Sequence, residues 1–440
     1  MSGLAMSAIA FAVMLGLIFL RMPIGAAMLL TGLAGTWIVT GTAVPVLAQW
    51  KSLTYDTFSS YSLSIVPLFL LMGQFAAKSG MSESLFRAAA DWLGHRRGGV
   101  AMAAVGACAG FGAVCGSSLA TAATMGQVAL PEMRRLRYSD TLSTGALAAG
   151  GTLGILIPPS VILVIYAILT EQNIIKMFVA ALIPGILAAL GYMLTVAVYV
   201  RLNPEAAHAA PRVPYAQRFR TLVGIWPVAG IFTLVIGGIY FGLFTPTEAA
   251  AIGAVATGCY ALAVGRLSRR AFADCVLSAA SSTAMIFFIV LGAQALNTFL
   301  ALTQTPQAAA DWVAVSGFSP WLVLTMILVC YLVFGCVMDS LSMILLTIPV
   351  FFPIVMALDF GLPPEELAIW FGILALMVVE IGLITPPVGL NLFIIHSLAG
   401  DVPMSKTYRG VAPFVLSDVI RIVILAAFPA ITLGLMRAMF

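Results

Sequence analysis

The residues best equipped for chemistry are few, small and placed in matching pairs. Ser117 and Ser118 close the string Gly112-Ala113-Val114-Cys115-Gly116, and Asp339 and Ser340 close Phe334-Gly335-Cys336-Val337-Met338. Thr152 lies just upstream of the proline pair Pro158-Pro159. Glu380 takes the same place before a second pair, Pro386-Pro387, which Thr385 directly precedes. Asn391 follows about one turn later. Together these side chains offer hydroxyl, amide and carboxylate oxygens, which suit a hard cation such as sodium. Helix N-termini beside them would present free amides and partial positive charge to a carboxylate. Ser117, Ser118, Thr152, Ser340 and Asn391 are the candidate substrate contacts. Ser117, Ser118, Asp339, Ser340 and Thr385 are the candidate ion ligands.

Other chemistry is missing. The chain has no HExxH, no GxSxG, no Walker loop and no His-rich cluster, so the sequence points to no enzyme and no organic cofactor. Without a nucleotide site, ATP cannot drive this chain directly, and an ion gradient is the physical alternative. The six cysteines lie in apolar segments without metal-ligand spacing and are expected to be small packing residues. His396, alone beyond the second proline pair, is expected to pack rather than to act.

The elements that position these residues must live in lipid. Of 440 residues, 62% are hydrophobic and 9% charged, too few charges to cover a soluble protein of this size. The runs lack strand-like alternation, so the expected class is an all-α polytopic membrane protein and not a barrel. Apolar runs near the length of a crossing fall at 4–20, 24–40, 63–79, 141–169, 174–200, 221–243, 248–265, 272–301, 367–397 and 411–436, about ten transmembrane helices. The first has no cation ahead of it and is expected to be a retained helix, not a signal peptide. With the N-terminus outside, 17 of the 21 Lys and Arg fall on the inner side and three (Lys51, Lys176 and Arg437) on the outer side, with Arg421 inside the last run. That asymmetry follows the positive-inside rule. The cations thus belong to topology, and nucleic acid is not an expected partner.

Two further apolar stretches behave differently. Residues 98–133 lie between His95-Arg96-Arg97 and Arg134-Arg135-Leu136-Arg137, so both ends sit on the inner side, and each arm is short for a crossing. Residues 319–358 are flanked by Asp311, Asp359, Glu365 and Glu366, with both ends outside. Each is expected to be a re-entrant hairpin, whose non-helical turn survives at depth only inside protein or along a cavity. The turns align, Phe111-Gly112 with Phe334-Gly335 and Ser117 with Ser340, and each hairpin precedes a helix broken at a proline pair, Gly154 aligning with Gly382. Two prolines remove amide donors and clash with the preceding turn. Hairpin plus broken helix, twice and in opposite orientation, is an inverted repeat of the kind secondary transporters use.

In this frame Asp339 is a carboxylate at membrane depth, costly and therefore a functional candidate, with helix capping as its structural alternative. Turn capping is likewise the alternative for the serines. Glu380 is left open between carrying a proton, orienting a loop and pairing locally. Neither hairpin nor either broken helix contains Lys or Arg, so an anion would be held by helix ends, amides and bound cations.

The chain divides into N-terminal scaffold helices with a cytoplasmic amphipathic helix (1–97), the first hairpin and broken helix (98–170), further scaffold helices with a cytoplasmic linker at 201–220 (171–317), the second hairpin and broken helix (318–398), and a C-terminal helix (399–440). Segments 51–63 and 80–94 are amphipathic, the latter with Leu85, Phe86, Ala89 and Trp92 on one side. These two segments and the linker could brace a moving core or merely connect it.

Three strings, Gly151-Thr152-Leu153-Gly154-Ile155-Leu156-Ile157-Pro158-Pro159-Ser160, Phe241-Gly242-Leu243-Phe244-Thr245-Pro246-Thr247-Glu248-Ala249-Ala250-Ala251 and Ile381-Gly382-Leu383-Ile384-Thr385-Pro386-Pro387-Val388-Gly389-Leu390-Asn391, resemble the large membrane subunit of tripartite ATP-independent periplasmic (TRAP) transporters. Val66-Pro67-Leu68-Phe69 is similar too, and the likeness runs over nearly the whole chain. The resemblance implies a sodium-driven, elevator-type importer of small organic acids in the bacterial inner membrane. It implies a small membrane subunit (expected here as a separate chain, since the first span begins near Leu4) and a periplasmic substrate-binding protein as partners. It also implies sodium sites where Ser117 and Ser118 meet Gly151–Pro158, and where Asp339 and Ser340 meet Thr385 and Pro386. A stand-alone sodium-coupled dicarboxylate symporter of the divalent-anion type would share the hairpins, but the Thr245-Pro246-Thr247-Glu248-Ala249 string disfavours it.

Overall fold

The computed structural model describes residues 3–315 and 317–440, and every regular element among them is helical. The chain opens with α1 (Gly3–Phe19), α2 (Ile24–Thr40), α3 (Val44–Phe58), α4 (Ile65–Ser79) and α5 (Met81–Leu93). The first repeat follows as α6 (Gly99–Cys115), α7 (Ser118–Arg135), α8 (Asp140–Leu156) and α9 (Val161–Leu169). Between the repeats run α10 (Ile174–Leu202), α11 (Tyr215–Val223), α12 (Trp226–Phe232), α13 (Gly238–Tyr240), α14 (Pro246–Ala263), α15 (Arg269–Leu302) and α16 (Thr305–Val315). The second repeat comprises α17 (Pro320–Gly335), α18 (Ser340–Met356), α19 (Pro364–Gly382) and α20 (Leu390–Ala399), and the chain closes with α21 (Met404–Ala427) and α22 (Pro429–Met439).

All ten apolar runs lie on helices. Four helical stretches are long and apolar enough to cross a bilayer alone: Ser62–Ser79, α10, α15 and α21. The pair α8 and α9, bent by 46°, and α11 with Trp226–Tyr240, bent by 44°, make six if each is one crossing. Boundaries differ from expectation in three places. The run 221–243 is interrupted before Trp226, whose follower Pro227 lacks the amide a continuous helix would need. The run 411–436 is two helices, because Pro429 starts α22 after Phe428 leaves helical geometry (φ −126°, ψ 76°). Of the amphipathic segment 51–63, residues 51–58 belong to a helix that already begins at Val44 and ends at Phe58.

Packing of α2 on α15 is driven by close backbone approach. Glycines let α2 lie on α15: a Cβ at Gly32 would stand 2.5 Å from the Ala295 carbonyl carbon, and one at Gly292 would stand 2.5 Å from Gly25 O. In lipid, where apolar burial gives little preference for one partner, such small-residue contacts are a main source of helix association. The same device recurs inside each repeat. A Cβ at Gly112 of α6 would meet Gly154 Cα at 2.4 Å, and one at Gly382 of α19 would meet Gly335 Cα of α17 at 2.5 Å. Both repeats therefore pack the first hairpin arm against their broken helix through a matched glycine pair. The repeats also touch each other, with Tyr166 OH of α9 donating to Ala368 O of α19 at 2.6 Å.

Outside the repeats, the 80–94 segment is helical as expected. Its Trp92 ring meets Phe219 of the linker helix edge-on at 5.6 Å, and its indole N–H donates to Arg218 O at 3.3 Å. The linker thus braces α5 instead of hanging free.

Candidate functional site

Each hairpin turn is built to expose a helix start. In the first, α6 ends on Gly116 at φ 64°, the left-handed region where glycine alone is free of a Cβ penalty. Ser117 is then extended and its side chain accepts from Ala120 N at 3.4 Å, capping α7. In the second, Asp339 occupies that role: its Oδ2 accepts from Ser342 N at 3.1 Å, capping α18. The capping alternatives for Ser117 and Asp339 are therefore what the structure contains. Capping still leaves the second Asp339 carboxylate oxygen free for another partner.

The broken helices meet these turns. Both proline pairs contain a cis peptide bond. Pro159 O lies 3.3 Å from where a Gly116 Cβ would stand, and Gly389 N, just past the second pair, donates to Cys336 O at 3.0 Å. Turn and break are thus in contact in both repeats.

The two repeats converge on one carboxylate. Glu380, 1% exposed near the end of α19, accepts a hydrogen bond at Oε2 from the Ser118 hydroxyl. At Oε1 it accepts from the Ser340 hydroxyl at 2.8 Å. No Lys or Arg pairs with it among the described residues. Two neutral hydroxyls do not balance a buried negative charge, which costs several kcal/mol unless neutralised or paired. Of the three roles open for Glu380, local pairing is met, and it joins both hairpins. A cation or a proton remains what would offset its charge.

Beside this carboxylate lies a cavity of about 210 Å³. Ser117, Ser118, Asp339 and Ser340 line one side; Leu70 of α4 and Ser282, Met285 and Ile286 of α15 line the other. The four hairpin-tip residues picked from the sequence are thus brought together, facing α4 and α15. Further oxygen donors lie just behind. A Cβ at Gly154 would stand 2.5 Å from Thr121 Oγ1 and 2.7 Å from Ser117 O, so both oxygens aim at the first broken helix.

The remaining candidates do not line this cavity. Thr152 points away from the cavity, its hydroxyl bonded to Ala149 O at 2.7 Å and to Tyr192 OH at 3.0 Å. Tyr192 donates to Asp418 Oδ2 at 2.7 Å, and Asp418 Oδ1 pairs with Arg421 at 2.6 Å. Asn391 is fully buried; its amide nitrogen donates to Ala148 O at 3.3 Å, and its Oδ1 has no partner. A Cβ at Gly151 would stand 3.1 Å from that nitrogen, so Asn391 joins the repeats behind the cavity. Thr385 bonds back to Ile381 O at 2.6 Å, and Pro386 is exposed. Sequence reasoning missed Thr121, Ser282, Tyr192 and Asp418. Only Asp418 carried a signal, an acid three residues before Arg421 in an apolar run.

Outside the apolar core, Arg134 at the foot of α7 donates to Ala399 O at 2.9 Å and to Asp401 at 2.5 Å. That bond holds the Asp401 carboxyl below its usual range. It ties the first hairpin to the end of the second broken helix.

A family model described as "Tripartite ATP-independent periplasmic transporter, DctM component" matches residues 11–431. The chain is 38% identical over 385 residues to the C4-dicarboxylate TRAP transporter large permease protein DctM of Pseudomonas aeruginosa, covering 87% of each chain. It is 31% identical over 424 residues to the sialic acid TRAP transporter large permease protein SiaM of Vibrio cholerae, covering 95% of this chain and 96% of that one. Among solved structures, the Alcanivorax borkumensis YdaH transporter is similar in fold, with a TM-score of 0.62 at 15% identity over 88% of this chain and 90% of that one.

Proposed function

The chain belongs to the DctM-component family of TRAP transporters, as a large permease subunit of the inner membrane, and on that premise we propose that it imports a small organic acid by sodium-coupled, elevator-like transport. The observation that carries this reading is the convergence of both hairpin tips on Glu380 beside a cavity that faces the scaffold. Residues 98–170 and 318–398 form the moving core, and the remaining helices form the frame. The topology has about ten crossings, the N-terminus outside and two re-entrant hairpins.

Sodium is the natural counter-charge for this site. Hydroxyl, carboxylate and carbonyl oxygens are the donors such an ion takes, and an uncompensated Glu380 gives the core a reason to bind one. The sites are those of Ser117 and Ser118 with Gly151–Pro158, and of Asp339 and Ser340 with Thr385 and Pro386. Glu380 links the two through its serine bonds. With cations bound, the capped starts of α7 and α18 can accept the substrate carboxylate. Substrate contacts belong to Ser117, Ser118 and Ser340; Thr152 and Asn391, bonded behind the cavity, hold the core in shape. The named relatives handle a C4-dicarboxylate and a sialic acid, which supports an organic acid and leaves its size open.

A separate small membrane subunit and a periplasmic binding protein complete the system. In proteoliposomes holding both membrane subunits, an inward sodium gradient should drive accumulation of the ligand carried by the cognate binding protein. Replacing sodium by potassium, or omitting the binding protein, should abolish uptake. Full uptake of free ligand without the binding protein would instead indicate a stand-alone symporter.

A further inference from the structure

A second polar cavity, of about 740 Å³, lies where α4 ends at Gly80 and α14 gives way to Arg266, with α5 and α11 alongside. Three guanidinium groups line it, Arg87 from α5, Arg220 from α11 and Arg266, against one carboxylate, Glu83. Arg266 pairs with Glu83 at 2.7 Å, both half-exposed. Its guanidinium also rests on Gly80, where a Cβ would stand 2.5 Å from Nη1 and where φ is 81°. The Arg87 and Arg220 guanidinium groups have no hydrogen-bond or ion-pair partner among the described residues. Three cations and one anion leave the cavity with a formal charge of +2.

Its surroundings set its depth. Two apolar helices, α4 and α14, terminate there, which puts the cavity where hydrocarbon gives way to headgroups. Helix α11 is amphipathic: Arg218 is buried, while Tyr215, Phe219, Val223 and nearby Trp226 are exposed. Exposed aromatic residues beside a basic cleft are the composition of a membrane–water interface, and basic pockets between membrane helices suit anionic headgroups.

We propose that this cavity binds the phosphate of an anionic phospholipid. Arg87 and Arg220 are its phosphate ligands, Arg266 contributes the third charge, and the acyl chains run along the exposed apolar side of α11. The exposed aromatic residues of α11 and Trp226, outside the cavity lining but on the same short stretch of chain, favour a lipid over free phosphate, which would gain nothing from them. Because α5 packs on both arms of the first hairpin and α11 packs on α5, the lipid would sit at the joint between frame and hairpin support. The proposal uses no part of the Glu380 site and stands whether or not sodium drives transport.

Native mass spectrometry of the full chain in detergent tests it, with phosphatidylglycerol, phosphatidylcholine and inorganic phosphate offered separately. The wild type should retain phosphatidylglycerol in preference to phosphatidylcholine. The double variant R87Q/R220Q should bind phosphatidylglycerol about thirtyfold more weakly, as expected for two interfacial cations. Glu83→Gln removes the one opposing charge and should strengthen binding, a gain that misfolding cannot imitate. Equal retention of both lipids, unchanged phosphatidylglycerol binding in a monodisperse R87Q/R220Q, weakened binding in Glu83→Gln, or saturation by inorganic phosphate without a lipid preference would each overturn the proposal.

Discussion

Asp339 carries two roles that a single substitution would confuse. Its Oδ2 caps α18, while the carboxylate also lines the cavity at the hairpin tips. Asn caps a helix about as well as Asp, whereas Ala loses about 1 kcal/mol. Asp339→Asn should therefore keep the thermal stability of the purified protein and lose sodium-driven uptake; Asp339→Ala should lose both. Normal uptake by Asp339→Asn would reduce the residue to a cap. The residues at this scale divide by how local their evidence is. Ser117, Ser118, Asp339 and Ser340 were legible because glycine-rich strings and charged flanks mark a turn within one stretch of chain. The role of Glu380 was not, although its place in the repeat was, because its two partners come from separate hairpins. The surroundings of Thr152 were hidden for a related reason: its position near the break says nothing about which side of α8 it occupies, where its hydroxyl meets Tyr192 of α10.

At the scale of elements, the repeat is physically a pair of glycine contacts. Gly154 meets Gly112, and Gly382 meets Gly335, backbone to backbone, so an added methyl cannot be absorbed by a side chain that swings away. Gly112→Ala and Gly382→Ala should each destabilise the protein by about 1–3 kcal/mol, the usual cost of overpacking. Gly16→Ala and Gly434→Ala, where a Cβ meets nothing within 4 Å, should leave stability unchanged or raised. Thermal denaturation in detergent checks the contrast, and equal melting temperatures across the four variants would contradict the packing account. The order hairpin, broken helix, hairpin, broken helix was readable because glycine, proline and flanking charge act locally on backbone. The division of the last run was not read from the sequence: its apolar composition continues unbroken past Pro429, and only the geometry at Phe428 separates α21 from α22.

At the scale of the whole molecule, two hairpins from separate repeats share one buried carboxylate, and the cavity beside it lies against α4 and α15. The proposed mechanism requires that sodium, and not the substrate alone, neutralise this centre. An oxygen that contacts the ion in a charge-assisted bond contributes about 1.5–3 kcal/mol, which sets the scale of the expected loss in ion affinity when one is removed. The most direct measurement is calorimetric titration of the purified chain with sodium chloride, against potassium chloride at equal ionic strength. The wild type should bind sodium saturably and potassium not at all, and Glu380→Gln and S118A/S340A should each lower sodium affinity by about tenfold or more while remaining monodisperse. The absence of sodium-specific heat in the wild type, or sodium binding unchanged in both variants, would contradict the assignment of the hairpin tips and Glu380 as the coupling site.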